Sequence, residues 1–293
     1  MITMIVNPVS GAGHARIVGE KVAALLHKLN INFTLCLTEA IGHATELARQ
    51  AASRGDETVI AVGGDGTVNE VAAGLNDTDT ALGIIPAGNG NDFARMLGIP
   101  KSWEEALHYL LKHKARRVDT GMANDRFFLN ICGTGFDVMV LENMLKAKEK
   151  LHGKLPYLYG IFMTMLRFKP FHLKLNTEEG VAINKPCSLC CVANGQYLGS
   201  GIRIMPLSVV DDGVFDILVA EKVSKWKIFL SLPSMLKGTI INKPFCRHYR
   251  TKGCTLTVPG MHLNLDGEII IVDEVKFTCN PASLLVHWAE AFA

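Results

Sequence analysis

Hydrophobic and polar positions in the first part of the chain alternate between short apolar runs and amphipathic segments. The apolar runs are MITMIVN, INFTLCLT, TVIAV and ALGIIP, and the amphipathic segments are HARIVGEKVAALLHKL, GHATELARQAASRG, VNEVAAGL and SWEEALHYLLKH. Strands that alternate with helices favour a doubly wound, largely parallel sheet. The pattern therefore predicts an N-terminal α/β domain over residues 1–121.

Two of these amphipathic segments carry the signals of helix termini. Ser102 and Glu105 have the spacing of a capping box, which predicts that a helix begins at this point. Gly55 directly follows Arg54, as is typical of a helix that ends in a glycine.

The pattern changes to strand-rich segments near residue 122. These segments are RFFLNICG, FHLKLNTEE, CSLCCVANG, GVFDILVAE, CTLTVP, HLNLDGEIIIV and VKFTC. Helical patterns interrupt them at 138–150, 154–168 and 224–237. We expect an antiparallel, β-rich, sandwich-like domain over 122–280, with 281–293 as a segment that could complete the first domain.

Composition narrows the classes of function. The 293 residues are 48% hydrophobic, enough for two cores, and 30 basic against 28 acidic residues leave a net charge of only +2. Such a small net charge argues against a nucleic-acid partner. The first residues lack the features of a signal peptide, and no stretch approaches the ~20 apolar residues that span a bilayer, so we expect a cytoplasmic protein.

The eight cysteines lack the regular spacing of a disulfide scaffold, which favours reduced thiols. Cys187 and Cys190 form a CxxC pattern within a strand-like segment. Because no second pair of ligands accompanies it, buried structural thiols are favoured over a zinc site.

Chemistry is first indicated by GGDGTVNE at 63–70, which directly follows the apolar run TVIAV. Ligands of open α/β sheets bind beyond the carboxyl ends of the strands, and glycines there let the backbone approach them. A helix start near Thr67 would add free N–H groups suited to phosphate. Asp65 would then require a cation such as Mg²⁺ close to the phosphates. The alternative is a glycine-rich turn in which Asp65 only caps a helix.

A second loop of the same kind, PAGNGNDFAR at 86–95, follows the next predicted strand. It is also rich in glycine and also ends in a carboxylate, Asp92. Two such loops at successive strand ends favour one composite site over two unrelated turns.

These segments, taken together, resemble the bacterial diacylglycerol kinase-like lipid kinases. The resemblance is carried by NPVSG (7–11), GGDGTVNEVAAGL (63–75), PAGNGNDFAR (86–95), VDTG (118–121), DDGVFDI (211–217) and LDGE (265–268). GGDGT alone also occurs in NAD kinases and phosphofructokinases, whereas the other motifs are more specific. The family shares its catalytic domain with eukaryotic diacylglycerol, sphingosine and ceramide kinases, so the resemblance implies an NAD kinase-like N-terminal domain.

The resemblance also implies a site for ATP and magnesium. The residues implied to contact the nucleotide are Thr38, Gly63, Gly64, Asp65, Gly66, Thr67, Asn69, Gly88, Asn89 and Asp92. Asn89 stands where the family commonly has threonine. The residues implied to surround magnesium are Asp65, Asp92 and Asp119 in an aspartate and water network, and Asp212 with the main-chain carbonyls near Val209 and Val214 at a structural site. An ordinary hairpin turn is the alternative for the DDG motif.

Phosphoryl transfer to an alcohol also needs a base. The LDGE segment offers Asp266 and Glu268, two residues apart and therefore on one side if the segment is extended. The resemblance implies that Glu268 accepts the proton, with Asp266 as the second candidate. A simple D-G turn is the alternative.

One departure from the family pattern concerns the positive charge that would meet the phosphates. Some family members have a lysine just after NPxSG, whereas this chain has Ala12, Gly13 and His14, so Arg16, Lys154 or a metal would have to meet the phosphate charge. His14 itself, like His43 and His108, is expected to have a surface or packing role.

The segment KLPYLYGIFMTMLRFK (154–169) is apolar and flanked by cations, which fits either contact with a membrane surface or burial against the β domain.

The sequence therefore predicts an ATP- and magnesium-dependent lipid kinase that uses diacylglycerol or a related glycerolipid. It would act from the cytoplasm, transiently at the inner face of the membrane, and a homodimer is left open. The alternatives are a soluble nucleotide or NAD-type kinase, and a lipid- or nucleotide-binding module without turnover.

Overall fold

The computed structural model describes residues 1–148, 150–151 and 155–288. The strands are β1 (Ile2–Val6), β2 (Phe33–Leu37), β3 (Thr58–Gly63), β4 (Ala81–Pro86), β5 (Ala115–Ala123), β6 (Arg126–Phe128), β7 (Ile131–Gly135), β8 (Phe171–Thr177), β9 (Ala182–Ala193), β10 (Phe215–Glu221), β11 (Cys246–Thr251), β12 (Gly253–Leu265) and β13 (Glu268–His287). The helices are α1 (His14–Lys28), α2 (His43–Ser53), α3 (Asp65–Leu75), α4 (Asp92–Met96), α5 (Trp103–Lys112), α6 (Phe136–Ala147), α7 (Leu155–Arg167) and α8 (Lys225–Leu236), with a 3₁₀ turn at Ile240–Asn242.

The N-terminal part is the predicted parallel α/β sheet. Its strands run in the order β2-β1-β3-β4, and every neighbouring pair is parallel. Strands β3 and β4 are buried along their whole length, as expected where helices cover both faces. The ends of β1, β3 and β4 consequently lie at one edge of the sheet.

The remaining strands are mostly antiparallel, in the order β11-β10-β9-β7-β12-β13, as the sequence predicts. Their apolar side chains form a second core around Phe128, Phe215 and Phe277, separate from the core beneath β1, β3 and β4. The fold class predicted from the sequence is therefore confirmed.

Two strands join the sheets. The domain boundaries that the sequence suggests, 121/122 and 280/281, lie within strands β5 and β13 respectively. These two strands pair antiparallel with each other. Near its end, β13 also pairs in parallel with β4 through Val286 and Leu82. Residues 281–288 therefore lie beside the first sheet, and residues 289–293 lie outside the described part of the chain.

The apolar segments RFFLNICG and HLNLDGEIIIV each divide in two. The first becomes β6 and β7, separated at Leu129 and Asn130, whose backbone amides donate to the carboxylate of Asp266 rather than to a strand. The second turns back at Asp266 and Gly267, both with positive φ, so that Leu265 pairs with Glu268. The LDGE segment is therefore not extended, and it adopts the D-G turn that the sequence offers as the alternative, because Asp-Gly favours a two-residue hairpin turn.

Helix starts are predicted less accurately than helix positions. α3 begins at Asp65 rather than near Thr67. Ser102 is the N-cap residue of α5, as predicted, but its side chain accepts no capping hydrogen bond. The helices predicted at 138–150 and 154–168 correspond to α6 and α7, although Glu149 and Lys154 lie outside the described residues.

The cysteines are all unpaired, and all except the half-buried Cys36 are buried. Burial raises the pKa of Cys187 to about 11 and the pKa of Cys254 to about 12. These thiols therefore remain protonated and act as packing groups.

Asp137, in the first turn of α6, is an unusual buried acid. Its carboxylate oxygens are buried without a hydrogen bond, and a Cβ at Gly133 would lie 2.0 Å from one of them. Burial raises the pKa of Asp137 to about 7, and nearby amides of α6 and Asn264 offset only part of the rise.

The raised pKa of Asp137 predicts that the protein becomes less stable as the pH rises. Below the unfolded pKa near 3.8 both states are protonated, whereas between there and about 7 only the folded protein keeps the proton. The free energy of unfolding should therefore fall by about 4 kcal/mol across that window. Asp137→Asn should flatten the dependence and raise stability at pH 8, measured by urea unfolding. Asp125→Asn, on the surface, is the control and should leave the profile unchanged. An equally steep profile in Asp137→Asn would contradict the prediction.

Candidate functional site

The two glycine-rich loops touch each other at the carboxyl edge of the parallel sheet. A Cβ on Gly88 would lie 2.3 Å from the Cα of Gly64, which is too close for any other residue. Gly64 donates its N–H to Ser10 Oγ at 2.9 Å, and this bond ties the NPVSG turn to the same place. The two loops from which the sequence predicts one composite site are therefore in backbone contact.

Asp65 links the first loop to the second. Its Oδ1 accepts from the backbone amide of Asp92 at 2.6 Å and, more weakly, from that of Phe93 at 3.5 Å. Asp65 thus caps a helix, as the alternative interpretation held, but the helix is α4 in the second loop rather than its own. Among the described residues, no group hydrogen-bonds its other oxygen, Oδ2, which is therefore available to a ligand.

Asp92 is buried and paired. One carboxylate oxygen accepts from Arg95 Nη1 at 2.8 Å, and the other accepts from the backbone N–H of Ser200 at 2.8 Å. Burial, followed by the nearby charge of Asp65, raises the pKa of Asp92. Because its lone pairs are engaged, Asp92 mainly holds the second loop and Arg95 in place, whereas Asp65 retains an open oxygen.

Three further residues that are predicted to contact the nucleotide lie near the loops and differ in their exposure and contacts. Thr67 is buried, and its hydroxyl accepts from Asn7 Nδ2 at 3.1 Å, so its side chain joins α3 to the end of β1. Thr38 follows β2 and donates its backbone N–H to Val6 at 2.9 Å, at the same edge of the sheet. Gly66 is exposed, with open space where a Cβ would stand.

A cleft of about 520 Å³ opens beside the second loop. Gly88 and Asn89 line it, as expected, together with His14, Arg95 and Lys101. The sequence singled out none of these three residues for ligand binding. Arg16, one of its candidates for phosphate charge, instead forms an exposed pair with Glu20. Lys154, the other, lies outside the described residues.

Asp266, in the hairpin turn between β12 and β13, accepts hydrogen bonds on both carboxylate oxygens. Its oxygens accept from the backbone amides of Leu129 at 2.6 Å, Asn130 at 3.1 Å and Ile131 at 2.8 Å. It also accepts from Asn69 Nδ2 at 2.7 Å. Burial raises the pKa of Asp266, and these donors oppose the rise. The Asn69 bond joins the hairpin to α3, the helix that follows the GGDGT loop.

The side chain of Glu268 is more exposed than that of Asp266. Glu268 begins β13, and its side chain is exposed, with Arg126 Nη1 at 3.3 Å from Oε1. The two carboxylates of LDGE therefore differ: the lone pairs of Asp266 are occupied, and Glu268 is accessible. This difference favours Glu268 as the group that could receive a proton.

The DDG motif forms a second cluster. Asp119 accepts from the backbone amides of Gly213 at 2.6 Å and Ala282 at 2.7 Å. Within the part of the chain that the structure describes, it shares no direct hydrogen-bond partner with Asp65 or Asp92, so the network that the resemblance implies would have to run through water and magnesium. Burial raises the pKa of Asp119, and these two amides counter part of the rise. Its contacts fasten the DDG turn to β13.

Two family models match the chain. The diacylglycerol kinase catalytic domain matches residues 1–123, and the YegS C-terminal NAD kinase beta sandwich-like domain matches residues 130–288. The chain belongs to the diacylglycerol kinase-like lipid kinase family. This membership confirms the resemblance carried by the sequence motifs.

Relatives within this lipid kinase family align over most of the chain. A protein named probable lipid kinase YegS-like, from Chromohalobacter salexigens, is 31% identical over 86% of this chain and 82% of its own. A diacylglycerol kinase from Mycobacterium tuberculosis is 29% identical over 97% of this chain and 94% of its own. A diacylglycerol kinase from Bacillus subtilis is 30% identical over 90% and 88%.

Solved structures show the same architecture. A crystal structure of a candidate diacylglycerol kinase from Bacillus anthracis str. Sterne has a TM-score of 0.80 and 25% identity, covering 100% of this chain and 98% of that one. Yeast NADH kinase, with a TM-score of 0.53 and 10% identity, covers 99% of this chain and 84% of that one. The NADH kinase likeness concerns the fold alone.

The two magnesium sites that family membership implies differ in how well the residues fit. No three His, Cys, Asp or Glu side chains in the described ranges are arranged to hold a metal by themselves. Mg²⁺ is commonly bound by one or two carboxylates plus substrate phosphates. The open oxygen of Asp65, between two glycine-rich loops, fits that mode.

The implied structural site does not fit. Asp212 Oδ2 is paired with Arg250, and Oδ1 accepts from the backbone N–H of Val214 at 3.3 Å. Arg250 also lies 3.8 Å from Asp216. The assignment of a cation to Asp212 with the carbonyls near Val209 and Val214 is therefore not supported, because a guanidinium already supplies the positive charge.

Because Arg250 supplies the positive charge at Asp212, we expect that no ion at this position contributes to stability. We expect the Tm of the wild-type protein to be the same in Mg²⁺ and in EDTA. Arg250→Gln should lower the free energy of unfolding by about 1 kcal/mol, a modest loss because Arg250 is half-exposed. Added Mg²⁺ should then restore part of the Tm by binding the folded state.

Arg247→Gln is the matched control, since Arg247 pairs with Glu221 at 3.6 Å at the other end of the same strand. Its Tm should not respond to Mg²⁺. A wild-type Tm that falls in EDTA would show that Arg250 does not replace a bound ion.

Proposed function

We propose that the protein is an ATP- and magnesium-dependent kinase that phosphorylates a lipid hydroxyl, with diacylglycerol or a related glycerolipid as acceptor. The observation that carries this proposal is the contact between the two glycine-rich loops, with the open oxygen of Asp65 next to Gly90, a residue that lines the cleft together with Arg95 and Lys101. Relatives named as lipid and diacylglycerol kinases support the class of acceptor.

In the proposed mechanism, the loops bind and orient the phosphates of ATP. The exposed Gly66 allows close backbone approach, and the N-terminus of α3 offers N–H groups. Lys101 adds positive charge from the cleft wall, and His14 lines the same cleft. Magnesium held through Asp65 would neutralise charge on the phosphates during transfer.

Glu268 is proposed to accept the proton of the lipid hydroxyl. Its carboxylate is exposed and belongs to the hairpin that the hydrogen bond between Asn69 and Asp266 joins to α3, which supports a role close to the phosphate loop. Asp266 is proposed to position the hairpin that contains Glu268, because its oxygens accept hydrogen bonds from backbone amides.

We assign nucleotide binding to residues 1–121 together with the end of β13, and lipid binding to residues 122–280. The reaction would take place at the inner face of the membrane, reached from the cytoplasm.

The decisive experiment is to incubate the protein with γ-labelled ATP, Mg²⁺ and a total lipid extract, and to identify the labelled product by mass spectrometry. A labelled phosphatidic acid or a related phospholipid is expected, and EDTA should abolish it. Parallel reactions with NAD or soluble sugars test the alternative class of kinase. Label in a water-soluble product and none in lipid would overturn the proposal.

A further inference from the structure

α7 and α8 expose large apolar side chains to solvent. On α8, Trp226 is 76% exposed and Leu230 is 71% exposed, and on α7 Phe162 is 61% exposed. Leu158 and Leu166 are also more than half exposed. An amphipathic helix of a protein surrounded only by water turns such residues inward, so these two helices present the reverse of the usual pattern.

The inner faces of these helices are already occupied. α7 buries the small or compact residues Pro156, Gly160 and Thr164, and α8 buries Ile228 and Ser231. The large exposed side chains therefore lie on the other faces of these helices. Their exposure is a property of the folded chain.

The two exposed faces belong to one surface. Lys225, at the start of α8, donates from Nζ to the carbonyl of Leu166 at the end of α7, at 2.5 Å. Ile161 and Ile228 pack in one apolar cluster beneath them. We call the exposed apolar residues Leu158, Phe162, Leu166, Trp226, Phe229 and Leu230 the α7–α8 face.

The segments that form the α7–α8 face carry charge of one sign. The sequence contains no aspartate or glutamate over 150–177 or over 222–265. Exposed cations adjoin the apolar residues at the ends of both helices, namely Arg167, Lys169, Lys222, Lys225, Lys227 and Lys237. A second copy of this chain would bring like charges together, whereas an anionic lipid surface is complementary to them.

No helix in the described ranges is both long and apolar enough to cross a bilayer. Aromatic and leucine side chains bordered by lysine are the composition of helices that lie in the plane of a membrane interface. Trp226 has the amphipathic ring that favours the headgroup level.

We propose that the α7–α8 face docks the protein on an anionic lipid bilayer, with Trp226, Leu230 and Phe162 inserted between headgroups and the lysines against anionic phosphates. This proposal rests on the proposed function, because it identifies the surface from which the kinase would take its acceptor. It also identifies α8, which the sequence did not single out, as part of the contact.

The first test uses the full chain and vesicles of phosphatidylcholine with or without phosphatidylglycerol. Wild-type protein should co-sediment with the anionic vesicles, and Trp226→Ala with Leu230→Ala should weaken the apparent affinity at least about tenfold. The control pair Leu29→Ala and Ile271→Ala removes exposed apolar side chains elsewhere and should have no effect.

Charge is tested in the same assay. Lys222→Gln with Lys227→Gln should reduce binding to the anionic vesicles at least about tenfold. The matched control is Lys21→Gln with Lys28→Gln on α1, which should bind as the wild type does. Equal affinity of the wild type for neutral and anionic vesicles would overturn the proposal.

Fluorescence reports the contact directly. Addition of anionic vesicles should shift the tryptophan emission to shorter wavelength, and Trp226→Phe should abolish the shift while Trp103 and Trp288 remain. A shift that persists in Trp226→Phe would place the contact elsewhere and overturn the proposal. A wild-type dimer that dissociates in the Trp226→Ala, Leu230→Ala variant, without vesicle binding, would also overturn it.

A water-soluble, short-chain diacylglycerol separates this proposal from the kinase proposal. The Trp226→Ala, Leu230→Ala variant should phosphorylate it as fast as the wild type in the absence of vesicles. Wild-type protein that phosphorylates no acceptor, but binds vesicles through Trp226 and Leu230, would refute the kinase proposal and leave the docking surface standing.

Discussion

Replacement of Asp65 by asparagine is expected to lower phosphoryl transfer by about 100-fold or more while the protein stays folded. The asparagine oxygen can still accept from the backbone amides of Asp92 and Phe93, so the link to α4 is retained. What is lost is the negative charge on the open side of the residue, where magnesium and phosphates are proposed to bind. Loss of one such electrostatic contact costs several kcal/mol in the transition state.

The measurement is the initial rate of labelled phosphate incorporation at saturating ATP and ordinary Mg²⁺, together with the Tm. Asp77→Asn, exposed at the far end of α3, is the control and should retain full activity. Near wild-type turnover in Asp65→Asn would remove the basis for the proposed metal and phosphate site.

Glu268→Gln should have the second large effect, a fall in kcat of about 100-fold or more with little change in ATP affinity. A general base is needed only in the transition state, so equilibrium binding of the nucleotide should be unaffected. The side chain is exposed, with Arg126 as its nearest charged partner, so the fold should not suffer. Calorimetric ATP titration and steady-state kinetics separate the two quantities, and Glu274→Gln on the same strand is the control.

Asp266→Asn should behave differently from Glu268→Gln. An amide would turn an N–H₂ group toward the backbone donors of Leu129 to Ile131, which costs about 2 kcal/mol of stability. We expect a lower Tm and a smaller loss of kcat than in Glu268→Gln. Full kcat in Glu268→Gln combined with inactive but stable Asp266→Asn would assign the base to Asp266 instead.

Much of the fold was predictable from local patterns. Alternating apolar runs and amphipathic segments over the first 121 residues predicted strands β1 to β4 and the helices between them, because burial on both faces selects continuous apolar strands. The pairing of β13 with β5 and β4 was not predictable in this way. It joins residues far apart in the chain, and periodicity carries no information on such pairing.

The candidate site was predictable where its residues are contiguous. Both glycine-rich loops, with Asp65 and Asp92, were identified from their position after buried strands. Arg95, His14 and Lys101 were missed because basic side chains have no spacing signature, and only the folded chain brings α1, α4 and the segment before α5 to one cleft. Arg95 could have been found from its place in PAGNGNDFAR, three residues after Asp92.

The sequence by itself determined the fold class, the family and the two loops, because strand burial and glycine conformation act within a few residues. Only the tertiary structure decided what each carboxylate does. Asp65 has an open oxygen, Asp266 is held by backbone amides, Asp212 is neutralised by Arg250, and Glu268 is exposed. These differences depend on which donors reach each oxygen from other elements of the chain, and hydrogen bonding between distant segments is fixed by packing rather than by local sequence.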